Sequence, residues 1–184
     1  SAITLGVQKI PGCGTTIKHF ACNNQEDNRM GSDSVLSERA LREIYLKGFE
    51  IAVKNSQPMS IMTSYNQING VHAANSYDIC TKAARDEWGF AGAIMTDWTT
   101  TTASTAGVCT AAGCMRAGND MVMPGVKADH DNIRQELKEG TLEPGALQRC
   151  ICNTVSLALQ SNQYEEAVSY GSQFDGLGTY MTVD

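Results

Sequence analysis

Short apolar runs alternate with longer stretches of helical periodicity along most of the 184-residue chain. The apolar, often β-branched runs predict strands over residues 15–20, 59–65, 91–96 and 120–123. A helical stretch follows each of them. Strands that alternate with helices in this way run parallel and are joined by right-handed crossovers. The alternation therefore predicts an α/β fold of four consecutive β/α units with parallel strands.

Five helices are predicted from capping residues and apolar spacing. The first follows Ser37 as its N-cap, and the second begins at Ser76 and ends at Gly89. The others are expected over residues 105–117, 129–139 and 144–160. The apolar face of the first helix comprises Leu41, Ile44, Tyr45, Gly48, Phe49 and Ala52. The inward face of the last is expected to comprise Leu147, Ile151, Val155, Ala158 and Leu159.

Four β/α units fit either a compact open sheet or one half of a closed barrel. A closed barrel of this type needs eight units and about 250 residues. The periodicity of the sequence leaves both alternatives open. Residues 161–184 are rich in Ser, Gly and Tyr and show no clear period, so we expect a separate C-terminal tail there.

Composition excludes several classes of partner. The net charge is −6 and no basic stripe is present, so we expect no nucleic-acid partner. No apolar run approaches the roughly 20 residues of a membrane span. Seven irregularly spaced cysteines argue against a disulfide framework, and no spacing typical of a metal site occurs. We predict free, mostly buried thiols, no metal and no cofactor, and we favour a cytoplasmic over a secreted protein, with an already removed signal peptide as the alternative.

Polar side chains gather where the predicted strands end. In parallel α/β folds ligands bind at the carboxyl ends of the strands. Those ends carry a carboxylate, cations and aromatic rings. The residues concerned are Lys18, His19, Arg29, Tyr65, Asp97 and Trp98. Charged and amide groups bind sugar hydroxyls, and an aromatic ring stacks on the apolar face of a sugar. The combination predicts a carbohydrate site.

Four segments of the chain, in order, resemble family 3 of the glycoside hydrolases, and the resemblance runs from about Gly6 to about Glu166. They are KHFACNNQE at 18–26 with Arg29, SYNQING at 64–70, the stretch 88–98 that ends in MTDW, and AGNDMVMPG at 117–125. The resemblance implies that residues 1–160 are part of a (β/α)8 TIM barrel, about its strands 5–8.

The resemblance also implies roles for individual residues. Asp97 would be the catalytic nucleophile, with Lys18, His19 and Arg29 binding sugar hydroxyls. Tyr65 would hydrogen-bond near the nucleophile, and Trp98 would form one wall of the pocket. The alternatives for these residues are structural: Asp97 as a helix N-cap or as a strand-end carboxylate hydrogen-bonded to backbone, His19 as a buried structural histidine, Arg29 in a surface ion pair and Trp98 in the core.

The continuation Ala21-Cys22-Asn23-Asn24 favours the β-glucosidase and β-xylosidase branch of the family. In that branch the acid/base residue sits on a separate domain, which nothing in this chain matches. The expected substrate is a β-linked oligosaccharide or an aryl glycoside. We expect a fragment of a retaining β-glycosidase that is inactive alone. The alternative is a non-catalytic half barrel that binds sugar, forms a homodimer or associates with the missing half.

Overall fold

The computed structural model describes residues 1–105 and 107–161, so residues 162–184 of the predicted tail lie outside it. Its strands are β1 (Thr16–Phe20), β2 (Asp33–Ser34), β3 (Ser60–Thr63), β4 (Gln67–Ile68), β5 (Val71–His72) and β6 (Ala93–Met95). The main sheet has the order β1-β3-β6, and both of its pairings are parallel. The predicted α/β class with parallel strands is confirmed.

The predicted fourth strand, 120–123, is wrong as a strand. Only an isolated parallel bridge joins Met121 to Met95. A side chain takes the place of a regular ladder at this point, because Oδ2 of Asp120 accepts the amide of Ile94 at 2.8 Å. The amides of Asp120 and Met121 both donate to the Ile94 carbonyl. The chain still runs beside β6, so the order along this edge is kept without a fourth regular strand.

A second, small sheet of order β2-β4-β5 was not predicted. Its strands have two residues each, too few to show an alternating pattern. β4 and β5 form an antiparallel hairpin around Asn69 and Gly70, which have φ values of 51° and 84°. Asn-Gly at the centre of a hairpin is the usual signal for two left-handed turn residues. That dipeptide could have revealed the hairpin.

The helices are α1 (Ala2–Val7), α2 (Glu38–Ala40), α3 (Lys47–Ser56), α4 (Thr100–Ala103), α5 (Ala111–Ala117), α6 (Lys127–Glu139) and α7 (Pro144–Gln160). Two further segments, Leu41–Tyr45 and Asp78–Glu87, are π-helical. Among the residues described, no helix has the length and apolarity to cross a membrane.

The π-helical turn between α2 and α3 changes the buried face of the first predicted helix. Ser37 is its N-cap as predicted, since its hydroxyl accepts the Ala40 amide at 3.2 Å. The wider turn shifts the following residues around the helix axis. As a result Leu46 and Val53 are buried, whereas Ile44, which was expected to face inward, is 68% exposed.

Three other predicted helix boundaries differ from the structure. The helix predicted over 105–117 is only α5, which begins after the N-cap Thr110. The hydroxyl of Thr110 accepts the Gly113 amide at 3.0 Å. The helical segment predicted to begin at Ser76 has Tyr77 as its N-cap, and the Ser76 carbonyl, rather than its hydroxyl, accepts the first amide. α6 begins two residues earlier than predicted, at Lys127.

The inward face predicted for α7 is correct at Leu147, which packs against the core cluster around Cys150, and wrong at the positions that follow it. Ile151, Val155 and Leu159 are each about half exposed, whereas Cys150 is buried. The helix is rotated so that Asn153 faces the sheet, where its Nδ2 donates to Oδ1 of Asp120 at 2.9 Å. A buried carboxylate thus holds the polar side chain inward, and the apolar stripe of Ile151, Val155 and Leu159 faces outward.

Candidate active site

A buried carboxylate at the end of β6 meets a histidine from β1. Asp97 is 8% exposed, and its Oδ2 lies 3.3 Å from Nε2 of His19. β1 and β6 are the two outer strands of the main sheet, with β3 between them. The register of β1 on β3 shifts by one residue between Ile17 and Phe20. Such a bulge re-aims side chains and is common next to active sites. The shift falls at the segment that carries His19.

The side chain of Tyr65, just after β3, lies beside the same carboxylate. Its hydroxyl donates to the Trp98 carbonyl at 2.9 Å. Burial raises the pKa of Tyr65, and the neighbouring Asp97 carboxylate raises it further. The phenol therefore stays neutral and keeps its proton for hydrogen bonding.

Arg29 reaches the site through Tyr65. Its guanidinium carbon lies 4.8 Å from the centre of the Tyr65 ring, and Nη1 donates to Oε2 of Glu26 at 2.7 Å. A cation over an aromatic face is stabilised by the charge distribution of the ring. Arg29 thus forms the ion pair expected of its structural alternative, with Glu26, and also contacts the predicted site residue Tyr65.

The backbone after Asp97 is tied to its carboxylate and carbonyl. The Trp98 amide donates to Oδ1 of Asp97 at 2.7 Å, and Oγ1 of Thr100 donates to the Asp97 carbonyl at 2.9 Å. The N-cap of α4 is Thr99, so Asp97 is not the cap of that helix. Thr99 has a φ of 60°. Positive φ strains a β-branched residue, and such strain collects at functional sites.

Two of the predicted site residues lie at the margin of this arrangement. Lys18 is exposed, and within the described part of the chain it makes no ion pair. The side chain of Trp98 is not core, because the residue is 58% exposed. The structure therefore brings together His19, Tyr65 and Asp97, with Arg29 behind Tyr65, and leaves Lys18 and Trp98 open to solvent.

Two buried side chains that support Tyr65 were missed as support residues. His72 lies in β5 and is 2% exposed. Its Nδ1 is 3.2 Å from the Tyr65 carbonyl. Asn66 is 1% exposed and donates from Nδ2 to the Ala21 carbonyl at 3.2 Å. The signal for His72 was its place two residues after Gly70 of the Asn69-Gly70 turn, at the position that pairs with Gln67.

A second buried carboxylate, Asp120, is structural. Its Oδ2 is 2.5 Å from Nη2 of Arg85 and also accepts the Ile94 amide. Burial raises the pKa of Asp120, opposed by the Arg85 charge and by hydrogen bonds. The Asp120 carboxylate lies among β6, α7 and the π-helical segment Asp78–Glu87 rather than beside Asp97. In residues 1–105 and 107–161 no cluster of three or more His, Cys, Asp or Glu could hold a metal ion.

The fold and the arrangement of His19, Tyr65 and Asp97 define an α/β domain whose polar site lies at the carboxyl ends of parallel strands. Comparison with known proteins shows that it is a glycoside-hydrolase domain. The model of the glycosyl hydrolase family 3 N-terminal domain matches residues 2–152, so the chain belongs to that family.

Relatives and solved structures agree with this assignment. A β-glucosidase from Ruminococcus albus is 44% identical over 158 residues, which cover 82% of this chain and 16% of the relative. An exo-α-(1→6)-L-arabinopyranosidase from Bifidobacterium breve is 43% identical over 156 residues, which cover 84% of this chain and 19% of the relative. The structure of β-glucosidase 3B from Thermotoga neapolitana in complex with α-D-glucose superposes with a TM-score of 0.80 at 40% identity and covers 88% of this chain and 23% of that one. The chain therefore spans about a fifth of the length of these proteins.

Proposed function

We propose that this chain carries the nucleophile of a retaining β-glycosidase and that Asp97 forms a covalent glycosyl-enzyme intermediate. The observation that carries the proposal is the position of the Asp97 carboxylate, 3.3 Å from His19 and beside the hydroxyl of Tyr65. Retaining hydrolysis requires a carboxylate nucleophile and a second carboxyl group that acts as acid and then as base. Asp97 supplies the first group.

The remaining site residues have supporting roles in this proposal. Tyr65 donates a hydrogen bond beside the nucleophile, and His19 binds the sugar hydroxyl next to the reacting carbon. Arg29 holds the ring of Tyr65 through the contact between its guanidinium and the ring face. Lys18, whose side chain is exposed, binds sugar hydroxyls, and the exposed Trp98 forms the wall on which the sugar ring stacks.

The substrate we propose is a terminal β-linked glucosyl or xylosyl residue. The segment Ala21-Cys22-Asn23-Asn24 after Phe20 supports this branch of the family. Several relatives are β-glucosidases, among them the Ruminococcus albus protein, and this supports the glucosyl substrate. We also propose that the chain is about strands 5–8 of the barrel, that the acid/base residue comes from outside it, and that the isolated chain therefore has little activity.

The test is turnover of nitrophenyl β-glucoside and β-xyloside by a full-length protein that contains this segment. The change Asp97→Asn should lower kcat by roughly a thousandfold or more, because it removes the nucleophile. The matched control is Asp129→Asn, at another buried aspartate, whose Oδ2 accepts the Val126 amide at the start of α6. Wild-type turnover of the Asp97→Asn protein would disprove the assignment.

Covalent trapping gives a second, independent measurement. A 2-deoxy-2-fluoro glycoside slows breakdown of the intermediate, so the sugar should stay attached to the nucleophile. Trypsin cleaves after Arg85 and after Arg116, and no Lys or Arg lies between them, so Asp97 is released in the peptide 86–116. We expect the added mass on this peptide, localised to Asp97. A label on another carboxylate would show that the nucleophile lies elsewhere.

The alternative is that the chain acts as an assembling half barrel without catalysis. The outward apolar stripe of Ile151, Val155 and Leu159 on α7 favours it, because exposed apolar faces of this kind mark association sites. In this alternative, a second copy or the rest of the barrel covers the stripe. Light scattering on the chain should show a dimer that Val155→Asp converts to a monomer. A monomeric wild-type chain would exclude the homodimer.

A further inference from the structure

Two buried cysteines flank the N-terminus of α5 at positions that face each other. Thr110 is the N-cap of α5, so Cys109 precedes the cap and Cys114 is the fourth residue of the helix. Side chains at these two positions pack against each other across the first turn of a helix, an arrangement called a hydrophobic staple. Cys109 is 5% exposed and Cys114 is fully buried, and both belong to one core cluster with Ala112 and Met115.

The side chains of Cys109 and Cys114 lie in the same core cluster and interact. Contact with the Cys109 thiol is the largest cause of the raised pKa of Cys114, ahead of burial. Asn75 fixes the surroundings of this pair. Its Nδ2 donates to Sγ of Cys114 at 3.1 Å, and its side chain also binds the amide and the carbonyl of Thr110. Asn75 therefore holds both the N-cap residue Thr110 and the sulfur atom of Cys114.

We propose that Cys109 and Cys114 are a modification site, at which a small disulfide oxidant such as oxidised glutathione converts the thiol staple into an intramolecular disulfide. The other buried cysteines lack a thiol partner at a staple position. Cys150, for example, donates its Sγ hydrogen to the carbonyls of Met115 and Asn119.

The reaction proceeds in two exchanges. The Cys109 thiolate attacks one sulfur of oxidised glutathione, so a bond forms between Cys109 and one glutathione and the second glutathione leaves as a thiolate. The Cys114 thiolate then attacks the Cys109 sulfur and releases the first glutathione. The two cysteines are oxidised, the glutathione disulfide is reduced, and the two cysteine protons end on the two released thiols. Cys109 reacts first because it is the more accessible of the pair.

The disulfide would fix the end of the segment that connects Trp98 to α5. That segment is attached elsewhere by the Thr105 amide, which donates to the Met30 carbonyl. Besides the Cys109 thiol, burial raises the pKa of Cys114, and burial still acts after Cys109 has reacted, so the Cys114 thiolate is scarce at neutral pH and the second exchange is slow. The reaction should therefore accelerate as the pH rises from 7 to 9.

Mass spectrometry tests this proposal without any assay of activity. The folded chain is treated with oxidised glutathione at pH 8, remaining thiols are alkylated, and trypsin releases peptide 86–116, whose only cysteines are Cys109 and Cys114. We expect this peptide without alkylation and lighter by two hydrogen atoms than its reduced form. In the Cys114→Ser variant, a glutathione adduct should instead accumulate on Cys109.

The exposed Cys152 serves as the internal standard for the oxidant. The variant Cys152→Ser should form the staple disulfide at the wild-type rate. The proposal is overturned if Cys152 acquires glutathione while both thiols of peptide 86–116 remain alkylatable. It is also overturned if Cys109 or Cys114 is found linked to Cys80 or Cys150 instead of to each other, or if Cys109 of the wild type still keeps its glutathione at pH 9, where the second exchange is faster.

Discussion

The hydroxyl of Tyr65 donates to the backbone carbonyl of Trp98 at 2.9 Å, and this bond joins the end of β3 to the end of β6. The bond sets the phenol beside the Asp97 carboxylate, which lies one residue before Trp98. His19 approaches the same carboxylate from β1. Three neighbouring strands thus each contribute one side chain to a single polar cluster.

The charge of Asp97 should be detectable in the titration of Tyr65. The folded protein raises the pKa of Tyr65 above 10.0 through burial and through the Asp97 carboxylate. The change Asp97→Asn removes the negative charge that opposes phenolate formation, so the pKa of Tyr65 should fall while the part due to burial remains. The measurement is tyrosinate absorbance against pH, with a Tyr65→Phe chain as the reference. An unchanged titration would mean that the two groups are further apart than described.

Removal of the Tyr65 hydroxyl should weaken the proposed catalysis. We expect Tyr65→Phe to lower kcat of a full-length protein by roughly 10–100-fold, as for the loss of one hydrogen bond beside a charged group. Tyr77→Phe is the matched control, since Tyr77 is 48% exposed and lies outside the site. Equal activity of both variants on nitrophenyl β-glucoside would exclude a role for the Tyr65 hydroxyl.

The buried pair of Arg85 and Asp120 should stabilise the fold against loss of either partner. We expect Asp120→Asn to reduce the free energy of unfolding by about 3 kcal/mol, because it leaves the Arg85 charge unpaired in the interior. The control is Asp78→Asn, which breaks an exposed pair with Lys82 and should change the free energy of unfolding far less. Urea unfolding followed by circular dichroism measures both. A smaller loss for Asp120→Asn than for Asp78→Asn would contradict this description.

A close backbone approach leaves no room for a side chain at Gly92. A Cβ at Gly92 would lie 2.2 Å from the Met59 carbonyl oxygen, so Gly92→Ala requires β3 and β6 to move apart. We expect a loss of about 1–3 kcal/mol in the free energy of unfolding. At Gly145 in the first turn of α7, a Cβ would meet no atom within 4 Å, so Gly145→Ala should be neutral or stabilising by up to about 1 kcal/mol. Urea midpoints that move in the same direction would show that space does not decide the outcome.

Periodicity predicted the elements whose side chains alternate or cap in a regular way. The strands around Ile61 and Ile94, the Ser37 cap and the helix from Pro144 are all present. Its failures have identifiable causes. In the segment after Asn119, the Asp120 carboxylate accepts the Ile94 amide in place of a regular strand ladder. The same carboxylate accepts a hydrogen bond from Asn153, so that face of α7 is directed inward.

The candidate site was predictable to the extent that parallel strands end at one edge. That rule is enough to place His19, Tyr65 and Asp97 together. It gives no information on how a long side chain is oriented, so it could not reveal that Arg29 lies against the ring of Tyr65 or that Lys18 stays in solvent. The support from His72 depends on a hairpin of two-residue strands, which no periodic pattern marks.

The π-helical turn at Leu41–Tyr45 also bears on how related sequences should be aligned with this one. A homologue with an ordinary α-helix here would be one residue shorter, and its apolar repeat would continue unbroken through the segment. The gap in such an alignment belongs inside 41–45 rather than in the loops at either end. Placed elsewhere, it would match the inward Leu46 and Val53 to residues that face water.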